Sequence, residues 1–579
     1  MKEVDFNSNE IIKRLPNHLR KWVVAQPYEQ YTAQNQAVWR YVMRKSVDYL
    51  SQFAHPSYLD GLAKAGISME EIPHMQGMNR ILKDLGWAAV AVKGFIPPNA
   101  FMEFQSYNVL VIASDIRTID HISYTPAPDI IHEAAGHAPI IANPAYAEYL
   151  RRFGELGSRA IGSAEDKDRF EAIRNLSILK ENPSSSQREI RNAEERVHAC
   201  NAAIKTPSEM SRLRNLHWWT VEYGLIGSVE QYKIFGAGLL SSIGESQWCM
   251  SDQVEKIPYS IAAADVGFDI TKPQKQLFVT PNFPYLSVVL EEFANEMALR
   301  KGGIFGLKKL ISSRGLGTIK LHSGIQISGL FSNVFEDKDG NPIYFQTQGP
   351  SSISFRNKEL LGHGTANHPD GFGSPVGLLK GIKLPIEEMS PTDLEHYGII
   401  EGETVCLTFE SKVQVAGEII TGKRNLQGKI ILISFKNCTV KLGDQYLFAP
   451  EWGTYDMAVG KEIVSAYAGV ADPMQFVTEN SIPQKSPKIN YSKQDKILFG
   501  YYQKVRDIRL KGTLELSELK GVFDLLCSSH PNDWLLPLEI YELIPALEVD
   551  FKTTVMNHLN ELSKRKEYSH LIKDGLALL

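Results

Sequence analysis

The chain has 579 residues, of which 43% are hydrophobic and 22% charged, a balance typical of globular proteins with several domains. Its formal net charge of -5 leaves no basic surface of the kind that nucleic-acid binding requires. Its five cysteines lie far apart, which indicates neither a disulfide framework nor a cysteine zinc site. No apolar run approaches the length of a membrane span. We therefore expect a cytoplasmic protein that binds neither nucleic acid nor membrane.

Residues 1–305 are predicted to form a mainly α-helical domain. Apolar residues recur at spacings of three and four in NQAVWRYVMRKSVDYLSQF and in YLSVVLEEFANEMALRKGG, as in amphipathic helices. Residues 165–205 are highly charged and read as a helical hairpin with the turn NPSSS, inserted into this domain. The Gly-Gly pair at 302–303 is expected to close the last helix.

A change in the spacing of apolar residues predicts two further regions. Residues 315–483 contain β-branched and aromatic clusters between Gly and Asn turns, which indicates a β-rich domain, possibly a small barrel, of unknown role. Within it, GHGTANHPDGFGSPVGLL contains His and Asp without ligand spacing and is interpreted as a long loop. Residues 492–579 return to helical periodicity and are predicted to form a helical C-terminal region.

The stretch PDIIHEAAGHAP contains the first pattern that suggests chemistry. Its histidines, His132 and His137, are five residues apart, whereas the zinc-protease signature H-E-x-x-H has them four apart on one helical face. A regular α-helix would leave the two imidazoles well out of line. A distorted helix, eased by Gly136, would let them converge. On the residues alone, a zinc hydrolase, an iron(II) oxygenase and a chance pair of histidines all stay open.

Three long motifs occur in one order: YTPAPDIIHEAAGHAP, then WWTVEYGL, then FGAGLLSSIGE. In this order they resemble the pterin-dependent aromatic amino acid hydroxylases, and the resemblance covers about residues 26–303. It implies a hydroxylase catalytic domain of mainly α fold. It also implies a monooxygenase that hydroxylates the ring of an aromatic L-amino acid, with conversion of L-phenylalanine to L-tyrosine as the expected reaction, using Fe2+, O2 and a tetrahydropterin.

The resemblance also implies roles for individual residues. Glu222 would complete the set of iron ligands with His132 and His137. Asp129 would fix the tautomer of the His132 imidazole, and it could equally cap the helix that carries His132. The residues expected at the tetrahydrobiopterin or related pterin are Gly94, Phe95, Ile96, Phe101 and Glu133. Those expected at the amino acid substrate are Arg117, Thr125, Pro128, Trp218, Ser241 and Ser242.

Two features depart from the family pattern. The hairpin of residues 165–205 lengthens the usual spacing between His137 and Glu222, and His217-Trp218-Trp219 stands where Tyr-Trp-Phe is usual. Neither is expected to touch the proposed ligands, but both affect the expected choice of substrate. Tyrosine or tryptophan hydroxylation, a zinc-dependent hydrolase, and an interaction protein with a degenerate enzyme domain stay as alternatives. The oligomeric state is left open.

Overall fold

The structure is a computed structural model of the chain, and it describes residues 4–94, 96–123, 128–181, 185–270, 272–476, 491–512 and 516–579. Within these ranges the chain forms a helical region, then a β-rich region, then a second helical region. Among the described helices, none combines the length and the apolar character that a bilayer span requires.

The first region is built mainly from α-helices, with two π-helical segments. The α-helices are α1 (Asn17–Arg20), α2 (Ala33–Phe53), α3 (Ser57–Lys64), α4 (Met75–Leu82), α5 (Pro98–Ser106), α6 (Ala138–Ile140), α7 (Pro144–Gly157), α8 (Ala164–Glu181), α9 (Gln187–Ala203), α10 (Glu209–His217), α11 (Ala237–Leu240), α12 (Ile243–Trp248), α13 (Phe283–Glu296), α14 (Ala298–Lys301) and α15 (Gly303–Ser313). The π-helical segments are π1 (Ile131–His137) and π2 (Trp218–Glu222).

Two small sheets complete this region. Their strands are β1 (Val23–Val24), β2 (Ala88–Val92), β3 (Val109–Ala113), β4 (Leu225–Gly227), β5 (Tyr232–Ile234), β6 (Glu255–Pro258) and β7 (Gln276–Thr280). The strand orders are β1-β2-β3 and β5-β4-β7-β6. Strands β2 and β3 are parallel and fully buried, as their continuous apolar sequences require. Their carboxyl ends lead to Gly94 and Arg117, so both predicted binding segments leave one edge of a sheet.

The predicted charged hairpin is formed by α8 and α9, which pack against each other. Helix α9 begins with a capping box in which Ser186 and Glu189 bond each other's backbone. The predicted turn NPSSS falls partly on residues 182–184, outside the described residues. The expected helix end near residue 303 also occurs: α14 stops at Gly302, whose φ of 55° is left-handed.

The middle region contains two antiparallel sheets. Its elements are β8 (Leu316–Leu321), β9 (Ile325–Glu336), β10 (Pro342–Phe355), β11 (Lys358–Glu359), β12 (Gly373–Pro375), α16 (Pro391–His396), β13 (Thr404–Thr408), β14 (Val413–Arg424), β15 (Ile430–Leu442), β16 (Gln445–Phe448), β17 (Tyr455–Ala458) and β18 (Ile463–Ala468). Sheet I has the order β11-β10-β9-β8-β18, with β12 on β10, and sheet II has the order β13-β14-β15-β16, with β17 on β15. The strand pairs of the described residues close neither sheet into a ring, so the expected small barrel is not confirmed.

Helix α15 belongs with the β-rich region rather than with the helices before it. Its Leu307 and Leu310 are fully buried in the same apolar cluster as Ile319 and Ile327 of sheet I. Ala298 of α14 is buried in this cluster as well, whereas Met297 belongs to the core of the first region, so the change from one core to the next falls at the start of α14.

The C-terminal helices are α17 (Lys493–Lys511), α18 (Leu516–Ser529), α19 (Leu535–Leu543), α20 (Val549–Leu562) and α21 (Lys566–Ala577). They share one continuous apolar core with the first region, in which α2 is the common element. The ring of Tyr41 in α2 lies 5.2 Å from the ring of Trp534, and its hydroxyl donates to the carbonyl of Leu571 at 2.7 Å. The last region of the chain is therefore docked on the helical region that precedes the β-rich part.

A buried ion-pair network joins these two regions. The guanidinium of Arg40 in α2 donates to Glu539 at 2.9 Å and to Glu542 at 2.6 Å, and Arg509 of α17 donates to the same two carboxylates. Burial opposes ionisation of Glu542, but its hydrogen bonds to Arg40 and the charges of Arg509 and Arg44 outweigh it and lower its pKa to about 2. Arg40 is 5% exposed, so its charge depends on these partners.

Replacing Arg40 by Ala should release the C-terminal helices from α2. Without Arg40, Glu539 and Glu542 lose the buried guanidinium that links them to α2, although Arg509 still contacts both, so we expect a loss of about 3 kcal/mol in docking stability. Arg44→Ala is the matched control, because Arg44 bonds Glu542 from a more exposed position and should cost less than about 1 kcal/mol. Limited proteolysis of α17–α21 across a urea series measures both. Equal effects of the two substitutions would contradict this role of Arg40.

Candidate active site

Segment π1 resolves the spacing of the two histidines. A π-helical turn joins residues five apart, whereas an α-helical turn joins residues four apart. His132 and His137 therefore lie about one turn apart on the same face of π1, and their Nε2 atoms approach to 3.2 Å. The distorted helix expected from the sequence is thus a π-helical turn, which is wider than an α-helical turn.

A second π-helical segment presents Glu222. In π2 the amide of Tyr223 donates to the carbonyl of Trp218, five residues earlier, at 2.8 Å. This turn ends the helix at Glu222 and directs its carboxylate at the histidines. Oε2 of Glu222 lies 3.3 Å from Nε2 of His132, and Oε1 lies 3.4 Å from Nε2 of His137.

Two glycines allow the segments to approach this closely. A Cβ on Gly136 would lie 2.6 Å from the carbonyl oxygen of Ala237 in α11, and a Cβ on Gly236 would lie 2.4 Å from the carbonyl oxygen of Glu222. A backbone carbonyl cannot move far enough to accommodate a Cβ at such distances, so only glycine fits at either position. The glycines of HEAAGH and FGAGLL thus belong to the packing that brings the ligand candidates together.

The charges around Glu222 favour its ionised form. Burial would raise its pKa, but the imidazoles of His137 and His132 outweigh burial and hold the pKa well below its usual range. Side-chain exposure is 2% for His137, against 15% for His132 and 12% for Glu222. The open side of the cluster therefore faces outward past His132 and Glu222.

His217 also belongs to this cluster, which corrects the expectation that the His217-Trp218-Trp219 variation does not touch the ligands. Its Nδ1 lies 3.8 Å from Oε1 of Glu222, five residues later in the chain. Burial lowers the pKa of His217 to about 4, so this imidazole is neutral at pH 7. The five-residue spacing from His217 to Glu222 repeats that of His132 and His137, and it is the signal in the sequence that indicates His217.

Asp129 does not bond the His132 imidazole, contrary to one of its two predicted roles. One of its oxygens accepts from the backbone amide of His132 at 3.1 Å, which is the predicted capping role. Arg117 occupies both oxygens with its Nε and Nη2, each at 2.8 Å. The imidazole Nδ1 of His132 instead lies 3.0 Å from Oγ of Ser241. Ser241, predicted to bind substrate, therefore orients a ligand candidate.

Arg117 is itself buried, and part of its guanidinium is already committed. The Nε–Nη2 edge is bound to Asp129, while Nη1 is 3.5 Å from the carbonyl of Ser241. The edge formed by Nη1 and Nη2 is the one that still offers N–H groups in a fork. By binding one edge of the guanidinium, Asp129 thus determines which edge of Arg117 is available to an anion.

Of the residues predicted at the pterin, Glu133 and Phe101 contact members of this cluster. Gly94 has a left-handed φ of 66° after β2, and the Ile96 side chain is packed in an apolar core, which leaves its backbone for contact. The ring of Phe101 in α5 lies 6.0 Å from that of His217. Burial raises the pKa of Glu133 to about 8, so its carboxyl is mostly protonated at pH 7 and can donate a hydrogen bond. Phe95 lies outside the described residues.

The remaining residues predicted at the substrate are dispersed. Trp218 is half-buried and stacks on Phe268 at 4.2 Å and on Tyr223 at 4.5 Å, so protein rings already cover much of its surface. Ser242 caps α12 by accepting from the Glu245 amide at 3.4 Å. Pro128 is exposed beside Asp129, and Thr125 lies outside the described residues.

The three convergent side chains fit a divalent transition metal. His132, His137 and Glu222 each present one ligand atom, and these atoms lie within 4.8 Å of one another. Two imidazoles and one carboxylate form the set that non-heme iron(II) oxygenases use, and zinc accepts the same donors. The two imidazole nitrogens and the Glu222 oxygens are separated by 3.2–3.4 Å, and this spacing fits a single bound ion.

The comparisons with known proteins concern the first half of the chain. The family model described as biopterin-dependent aromatic amino acid hydroxylase matches residues 17–177 and 201–302. The unmatched gap lies within the α8–α9 hairpin.

Individual relatives agree with this match. Phenylalanine-4-hydroxylase of Mesorhizobium japonicum is 27% identical over 46% of this chain and 81% of its own length. That of Pseudomonas aeruginosa is 27% identical over 47% of this chain and 89% of its own length. A crystal structure of the Chromobacterium violaceum phenylalanine hydroxylase with iron(III) and 7,8-dihydrobiopterin is 22% identical, covers 51% of this chain and 95% of that chain, and has a TM-score of 0.37. Over residues 17–177 and 201–302, the chain is therefore similar to the biopterin-dependent aromatic amino acid hydroxylase family.

Proposed function

We propose that the chain is a monooxygenase that hydroxylates the ring of an aromatic L-amino acid, with phenylalanine converted to tyrosine. The observation that carries this proposal is the convergence of His132, His137 and Glu222 through two π-helical turns inside the segment that matches the family. The relatives named as phenylalanine-4-hydroxylases support phenylalanine as the substrate.

In this proposal His132, His137 and Glu222 hold Fe2+, and the segment from Gly94 to Phe101, with Glu133, holds a tetrahydropterin. When bound, iron and pterin together supply the activation of O2 that ring hydroxylation needs. The chain positions these groups and excludes water from them. Because His137 lies on the enclosed side of the cluster, O2 and substrate approach from the more exposed side, past His132 and Glu222.

Several groups of the chain hold the ligands in place. Ser241 orients His132 by its contact with Nδ1, and Asp129 fixes the first turn of π1 through the His132 amide. The neutral His217 lies against Glu222 without adding a charge. Arg117, held by Asp129, is proposed to receive the α-carboxylate of the substrate on its free edge.

Turnover with defined substrates tests the function. The iron(II)-loaded chain should form tyrosine from phenylalanine in the presence of O2 and tetrahydrobiopterin, and less product from tyrosine or tryptophan. Zinc-loaded chain is the control, because zinc has no redox chemistry with which to activate O2. Absence of a hydroxylated product from all three amino acids, with iron bound, would overturn the proposal and favour an interaction protein. Product from tyrosine or tryptophan alone would correct the substrate.

Substitution of the three proposed ligands should abolish both iron binding and turnover. Loss of groups that only orient metal ligands already costs 10–100-fold in affinity, so we expect His132→Ala, His137→Ala and Glu222→Gln to cost more than about 100-fold. His198→Ala, an exposed histidine on α9, should leave iron affinity unchanged. Iron affinity by titration and tyrosine formation are the two measurements. Full activity of any one ligand variant at saturating iron would remove that residue from the set.

The role of Arg117 can be separated from its contact with Asp129. Loss of a buried charge-assisted contact costs at least about 2 kcal/mol, so Arg117→Ala should raise the KM for phenylalanine on the order of 30-fold. The comparison substrate is phenethylamine, which lacks the carboxylate and should be affected much less. Steady-state kinetics of both substrates, with equal iron content, make the comparison. If both KM values rise by the same factor, Arg117 acts only through Asp129 and π1.

A further inference from the structure

A second group of metal-binding side chains lies in the β-rich region, outside the segment that matches the family. His363 and His368 belong to the segment between β11 and β12 of sheet I, and Asp456 belongs to β17 of sheet II. Each presents one ligand atom, and these atoms all lie within 4.8 Å of one another. Both histidines lie in the stretch GHGTANHPDGFGSPVGLL, which was predicted to be a long loop because its His and Asp residues show no ligand spacing. The third member, Asp456, is distant in the chain.

The distances within this group are at or beyond the limit for hydrogen bonds. Nδ1 of His363 lies 3.5 Å from Oδ2 of Asp456, and Nε2 of His368 lies 3.7 Å from the same oxygen. Both nitrogens are buried and have no hydrogen-bond partner among the described residues. A buried polar atom left without a partner costs about 1–3 kcal/mol, so two such atoms facing one carboxylate oxygen need an explanation.

The backbone around the two histidines is fixed rather than free. The carbonyl of His363 accepts from the amide of Ile353 at 2.9 Å, and the carbonyl of His368 accepts from the amide of Ser351 at 3.0 Å. Both anchors lie in β10. The His368 amide also donates to the carbonyl of Gly364 at 3.2 Å, which closes a turn between the two histidines. The backbone that carries the two imidazoles is therefore anchored to β10.

Asp456 is oriented from its other side. It pairs with Ser434 of β15, and the Ser434 hydroxyl donates to its Oδ1. This leaves Oδ2 as the oxygen that faces both imidazoles. An outer group that bonds one oxygen of a carboxylate and directs the other inward is a common arrangement around protein metal ions.

The separations match those expected around one ion. Ligand atoms at about 2.0–2.2 Å from a tetrahedral zinc lie roughly 3.3–3.6 Å from each other. The separations of 3.5 Å from His363 to Asp456 and 3.7 Å from His368 to Asp456 are close to this range. The cluster of His132, His137 and Glu222 has comparable separations of 3.2–3.4 Å.

We propose that His363, His368 and Asp456 form a second metal site, which takes a divalent transition-metal ion of the zinc type and connects sheet I to sheet II. Two neutral imidazoles and one carboxylate leave the bound ion with one net positive charge and a fourth position for water. The nearby bond from the Ser374 hydroxyl to the Ala458 carbonyl, at 3.0 Å, already joins β12 of sheet I to β17 of sheet II. The ion would strengthen this connection. The site is independent of the proposed hydroxylation.

Zinc retention by the full chain tests this site. In the double variant His132→Ala/His137→Ala, which removes the first site, the chain should keep about one zinc per molecule after stripping, reloading and desalting. Adding Asp456→Asn, which preserves the size of the side chain, should remove that zinc. His396→Gln is the control, because His396 is an exposed histidine of α16 in the same region and should leave the zinc in place. Elemental analysis gives zinc per chain, and circular dichroism confirms folding.

A second measurement keeps the test decisive if the double variant does not fold. Asp456→Asn in the otherwise unaltered chain should lower the thermal midpoint in the presence of zinc, and it should change the midpoint little in the presence of a chelator. A folded double variant that retains no zinc would overturn the proposal. Zinc that survives Asp456→Asn would overturn it as well, since the ion would then be held elsewhere. Equal thermal effects of Asp456→Asn with and without zinc would count against it in the same way.

Discussion

The candidate active site depends on the width of two helical turns. In π1 and π2 the extra residue per turn aligns His132 with His137 and directs Glu222 towards both. Wider turns are rare because their backbone geometry is less favourable than that of an α-helix, so tertiary packing must maintain them. Here the packing is the close crossing of π1 with α11, where Gly136 meets the carbonyl of Ala237.

The residues around the cluster are linked to the same π-helical segment by hydrogen bonds. Asp129 caps π1 and binds Arg117, and Ser241, at the end of α11, contacts His132. The start of π1, the guanidinium proposed to hold the substrate and the orientation of one proposed ligand are therefore joined in one buried network. Further out, α2 supports this region and also receives the C-terminal helices through Arg40.

Much of this arrangement was predictable from the sequence, but not all of it. The motifs around His132, His137 and Glu222 indicated the three residues, and apolar periodicity indicated the helical and β-rich regions. Tertiary contacts were the missing part. The pairing of Asp129 with Arg117, and the approach of Asp456 to His363, join residues from separate elements, so no local pattern records them. Strand alternation likewise reports which face is buried, not whether a sheet closes, and the expected barrel rested on alternation alone.

We propose that one iron lies between the two π-helical segments. Diffraction data from crystals of the iron(II)-loaded chain, collected on both sides of the iron absorption edge, would locate it. We expect a single strong iron peak at about 2.0–2.2 Å from Nε2 of His132, Nε2 of His137 and an oxygen of Glu222. A peak at another position, or none at this position in a chain that has turned over phenylalanine, would contradict it.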